Sequence, residues 1–63
     1  MTKIFVIVEE DMVGAKAVYS ATTREKCEKR VTEEYSRELR WLMDGVWRCG
    51  SSIISIQEVE LDQ

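Results

Sequence analysis

Carboxylates are the only abundant side chains in this sequence that could do acid–base or metal chemistry, and they gather in two places. Glu9-Glu10-Asp11 closes an early apolar run, and Glu58, Glu60 and Asp62 alternate near the other end. Carboxylates at that density could hold Mg²⁺ or Ca²⁺ through oxygen. Neither group has the spacing of a calcium loop. As ends of strands on opposite edges of a sheet they would not converge, and both read as solvated charges that discourage edge pairing. Paired-carboxylate hydrolysis also needs a cleft, which 63 residues do not readily enclose. There is no His, hence no imidazole base, no Ser-His or Cys-His pair and no zinc site built on His. Cys27 and Cys49 lack Cys-x-x-Cys spacing and read as reduced thiols acting as small apolar residues. No catalytic residue, cofactor or metal is expected.

Binding chemistry has more candidates. At about 100° per residue, Lys26, Lys29, Arg30, Arg37 and Arg40 would share the outer side of one helix. Such a stripe could track phosphates. Glu33 lies within it, Glu25 and Glu34 flank it, and no aromatic or glycine-rich loop accompanies it, so a solvated face is the plainer reading. Trp41, Met43, Val46 and Trp47 form the densest apolar cluster outside the strands and, with Arg48 beside them, have the composition of an interface hot spot. The plainer alternative is a small core capping the helix end. Glu38 would fall inside the helix's apolar stripe, where it needs either water or a partner's cation. Phe5 and Ile7 alternate with Ile4, Val6 and Val8, so one of these sets is expected on a sheet face that a single helix leaves uncovered. Phe5 and Ile7 are assigned to that face.

These residues need elements to hold them. Lys3 to Glu10 is β-branched and aromatic and reads as a strand; Asp11 to Gly14 turns the chain, and Ala15 to Ala21 pairs back. Thr22 and Glu25 have the form of a capping box, and from there to Met43 the stripe Cys27, Val31, Tyr35, Leu39, Leu42 predicts one long helix. Its length, roughly 31 Å against about 23 Å for a seven-residue strand, would carry Trp41, Leu42 and Met43 past the sheet. Asp44-Gly45 reads as the helix stop, with Gly45 as the left-handed residue after it. Val46 to Cys49 is a loop or a minor edge strand. Ser52 to Leu61 is the last strand, and its slipping alternation predicts a bulge at Gln57 or Glu58. The expected fold is α+β: a β-β-α-β chain whose three-stranded sheet, in the order 2-1-3, carries the long helix on one face.

One domain spanning residues 1–63 is all this length allows, and its core is marginal, so a staple or a second copy is expected. Twelve acidic against nine basic residues give a mild net charge of −3, unlike a nucleic-acid mimic or a basic binder. Met1-Thr2-Lys3 and the five apolar residues after it are too short for a secretion signal, and no stretch suits a membrane span. A cytoplasmic protein is expected.

Ala17-Val18-Tyr19-Ser20, Arg24-Glu25-Lys26-Cys27-Glu28 and Ile56-Gln57-Glu58-Val59-Glu60-Leu61-Asp62 together resemble small β-β-α-β proteins of phages and bacteria. The long helix and the two tryptophans depart from that pattern, and the resemblance brings no active site with it. It implies a phage or prophage origin. With that, the expected function is a non-enzymatic protein-binding module: a homodimer acting as inhibitor or adaptor of a host defence or regulatory protein, in the host cytoplasm. The alternative is a small nucleic-acid-binding regulator using the helix stripe.

Overall fold

The computed structural model describes residues 2–35 and 39–61. Five strands and one helix follow in the order β1 (Thr2–Glu10), β2 (Ala15–Ala21), α1 (Arg24–Glu34), β3 (Leu39–Met43), β4 (Val46–Cys49) and β5 (Ser52–Leu61). All pairings are antiparallel, and the sheet order is β2-β1-β5-β4-β3. The expected three-stranded sheet with a long helix is therefore wrong. The helix stops at Glu34, and the residues assigned to its second half form β3. The physical reason lies in Leu39, Trp41 and Met43, which alternate with Arg40 and Leu42. Five residues fit a period of two as readily as a helical stripe, and pairing with β4 decides between them. Val46–Cys49 is an interior strand between β5 and β3, rather than a loop or an edge.

Asp44-Gly45 does stop an element, but as the tight turn of the β3–β4 hairpin. Gly45 has φ 76°, a region that favours glycine in a turn as much as at a helix end. Asp44 does not share the positive φ, and the ladder slips between Trp41 and Met43 beside the turn. At the other hairpin Asp11 Oδ1 accepts from the backbone N–H of Val13 at 2.8 Å and of Gly14 at 3.1 Å, closing the β1–β2 turn. The helix is capped by Thr23, one residue later than expected, whose hydroxyl accepts from Lys26 N–H. The expected bulge at Gln57 or Glu58 is absent: β5 pairs with β1 without a break from Leu61 to Ile53. The slip in its alternation instead marks a strand that is apolar on both faces.

Register and burial together assign the faces. Ile7, Ile54, Cys27 and Val31 are fully buried and form the core between sheet and helix. Phe5, Tyr19, Ala21, Tyr35, Leu39, Trp47, Cys49 and Ile56 pack around them. The helix lies against β1, β2 and β5. The opposite face carries Ile4, Val6 and Val8 with their register partners Val59, Gln57 and Ser55, and then Ile53 and Val46. Among the described residues no second layer covers it. At about 25 cal/mol per Å² of apolar surface, the four fully buried side chains among the described residues make a core that is small even for this length.

Candidate protein-interaction surface

The helix covers only part of its own side of the sheet. Beyond it the β4–β3 hairpin continues as an uncovered shelf. Trp41 and Trp47 face each other across that ladder, one strand in from the sheet edge and one strand on it. Trp47 is half-buried because it also pairs with Ile54 and packs on the core. Trp41 has no further strand beside it and is 66 % exposed; Leu42 and Met43 are exposed as well. As the edge strand, β3 has no strand along its outer side among the described residues, which leaves its outward backbone donors and acceptors available for pairing. Exposed apolar side chains beside free backbone groups make a surface that can accept an extended strand from another molecule.

The sequence-derived interface residues divide on this frame. Trp41, Met43, Val46, Trp47 and Arg48 lie on the β3–β4 hairpin. Trp41 and Met43 are open to a partner; Val46 and Trp47 are half-buried, and Arg48 Nε donates to Gly50 O at 3.1 Å. Phe5 and Ile7 do not belong to an open surface. They point at the helix, with Ile7 at 0 % exposure and Phe5 O accepting from Cys27 Sγ at 3.4 Å. The uncovered face belongs to the alternate set, Ile4, Val6 and Val8. Their shared parity with one another was the signal for it; parity alone could not say which set meets the helix. Glu38 lies outside the described residues.

The basic stripe comes apart. Lys26, Lys29 and Arg30 remain exposed on the helix, but Arg40 sits on β3, and Arg37 lies outside the described residues. Arg30 Nη2 is 3.1 Å from Glu34 Oε1, and its guanidinium lies 5.0 Å over the Tyr19 ring. Its charge is thus partly spent inside the chain.

Tyr35, at the helix C-cap, donates through its hydroxyl to Glu9 Oε1 at 2.9 Å, and Lys16 Nζ approaches Glu9 Oε2 at 4.0 Å. Burial, then the bond to Glu9 and its charge, push the Tyr35 phenol up to about 12. Burial also raises the Cys27 thiol, keeping it protonated and a poor nucleophile. Cys27 and Cys49 are both free. Among the described residues no group of His, Cys, Asp or Glu is placed to hold a metal ion. Glu9 and Glu10 end β1 where Ile54 and Ile53 oppose them, while Glu58 and Glu60 oppose Phe5 and Lys3 at the far end of the same ladder. Asp62 lies outside the described residues. Among the described residues no helix is long and apolar enough to cross a membrane. Comparison with family models, curated proteins and solved structures finds no match to this chain.

Proposed function

We propose that this protein is a non-enzymatic protein-binding module whose site is the β3 edge with Trp41, Leu42 and Met43. The observation that carries this reading is the exposure of three consecutive large apolar side chains on β3, a strand with no neighbour on its outer side among the described residues. Soluble proteins normally blunt such an edge with charge, proline or a covering loop. Here the only charge on the strand is Arg40; Trp41 stays uncovered on the other face, and Leu42 and Met43 are exposed past the slip in the ladder. An extended segment of a partner would add a strand at β3 through backbone hydrogen bonds, while the Trp41–Trp47 shelf would take an apolar side chain. The finer form of the reading, an inhibitor or adaptor of a host protein, asks nothing more of the chain than this stable surface. A role as a nucleic-acid-binding regulator draws less support, because the helix stripe has lost Arg40 to β3 and Arg30 to its contacts with Glu34 and Tyr19.

Affinity capture with three baits tests this. The wild-type chain and a Lys26→Ala, Lys29→Ala, Arg30→Ala variant should retain the same protein, and Trp41→Ala should lose it. Retention by Trp41→Ala together with loss by the triple variant would overturn the proposal in favour of the helix face.

A further inference from the structure

The face of the sheet away from the helix has its own pattern, independent of the β3 edge. Reading across the strands in register gives one row: Ala15 on β2, Glu10 on β1, Ile53 on β5, Arg48 on β4 and Arg40 on β3. The next row on that face is Ala17, Val8, Ser55 and Val46, after which Val6 opposes Gln57 and Ile4 opposes Val59. Acid therefore lies on one side of β5 and base on the other, and the rest is largely apolar. Two arginines directly opposite one another repel, and among the described residues neither Arg40 nor Arg48 has a carboxylate partner, nor does Glu10 have a cation.

We infer that a second copy of this chain covers this face, related by a two-fold axis running along β5. β5 is the middle strand of five. Rotation about it therefore lays β1 over the partner's β4 and β2 over the partner's β3, with each row kept at its own height. Glu10 then meets Arg48 of the partner subunit, Ile53 meets its own copy at the axis, and Val8 meets Val46 of the partner subunit. The acid meets the base twice by symmetry, Ala15 lies against Arg40 of the partner subunit, and Val6 and Ile4 lie past the end of the partner's β4. Aligned sheets pack about 10 Å apart with a twist near 30°. Strands β1 and β4 lie only about 4.8 Å from the axis, so the twist moves their contacts little, and a glutamate and an arginine together span the gap.

The size of the face sets the strength. β5 overlaps its own copy along about 33 Å, whereas the four residues of β4 hold the other strand overlaps to about 13 Å each, giving roughly 400 Å² per copy and near 800 Å² for the pair. That is the size of a weak, transient interface, so the dimer should form at about 100 µM or above.

Sedimentation equilibrium from about 10 µM to 1 mM tests this with five chains, each checked for unchanged circular dichroism. Wild type should approach twice the 7.3 kDa chain mass. Glu10→Arg and Arg48→Glu should each weaken association about tenfold or more, since each sets like charges together twice. The double variant, Glu10→Arg with Arg48→Glu, should return to within about threefold of wild type. Trp41→Ala should dimerise as wild type does. A wild type that stays monomeric overturns the inference, as does a double variant no tighter than the singles. Dissociation of the dimer by Trp41→Ala alone would also overturn it, by moving the self-contact to the β3 edge. Binding of another protein at β3 stands or falls separately, in the capture experiment.

Discussion

Trp41 and Trp47 are register partners on adjacent strands, yet one is 66 % exposed and the other packs against the buried core. Their positions in the sheet account for the difference. Trp47 has a strand on both sides and Ile54 as its second neighbour; Trp41 has only Trp47. Two residues of one type thus sit in two environments, one packed and one exposed.

That difference predicts opposite outcomes for the same substitution. Trp47→Ala should destabilise the fold by about 3 kcal/mol, a large share of what so small a domain has. Trp41→Ala should leave the melting temperature within a few degrees and, as an interface residue, cost about 2 kcal/mol in partner binding, roughly thirtyfold. Thermal melts of the two variants check this directly. Equal destabilisation would mean that Trp41 is part of the core.

The β3–β4 turn separates backbone strain from charge. Gly45 needs a positive φ that alanine tolerates poorly, and an added Cβ there would lie 2.8 Å from Arg24 Nη2. Gly45→Ala should cost about 1 kcal/mol or more, several degrees for a domain of this length. Asp44 pairs with Arg24 at 3.2 Å but is 90 % exposed, so Asp44→Ala should change the melting temperature little. A larger loss from Asp44→Ala than from Gly45→Ala would reverse this assignment.

Alkaline pH should loosen the packing of Tyr35. Its phenol is held protonated, up to about 12 from an ordinary 10, first by burial and then by Glu9. A proton bound more tightly in the folded chain stabilises fully below the unfolded value of about 10 and is lost as pH rises through the folded one. Stability should therefore decline between about pH 10 and 12, and Tyr35→Phe should lessen that decline. Ultraviolet titration of phenolate should show the late-ionising tyrosine vanish in Tyr35→Phe; its persistence would contradict the assignment.

The sequence made several strands and their chemistry legible, and the misreadings have one common source. The β-branched run from Ile4 to Val8 marks a strand with neighbours on both sides, and β1 does lie between β2 and the last strand. Thr22 and Thr23 placed the helix start to within one residue. Past Glu34 the residues are ambiguous in isolation: Tyr35, Leu39 and Leu42 continue a helical stripe, while Leu39, Trp41 and Met43 alternate. Gly45 ends either element equally well. Long-range pairing with β4 settles the matter, and no local signal carries it. Moving Leu39 to Met43 from helix to strand moved the hot spot from an overhang to an edge, scattered the basic stripe, and left Trp47 inside. The face assignment failed for a related reason. Ile4, Val6 and Val8 are as apolar as Phe5 and Ile7, and only the positions of Cys27 and Val31 decide which set is buried.

The core itself gives a further check. Ile54 is fully buried, opposed by Glu9 on one strand and Trp47 on the other. Ile54→Val should cost about 1 kcal/mol, measured by urea unfolding, and Ile54→Ala enough to unfold much of the population. Val59→Ala, on the partly exposed open face, should cost clearly less.

Amide hydrogen exchange on the captured complex tests the binding site most directly. Exchange at residues 39–43 should slow sharply when the partner is bound, because an added strand would pair the outer backbone groups of β3. Exchange in the helix, Arg24–Glu34, should stay as it is in the chain alone. Protection of the helix with β3 unchanged would contradict the account.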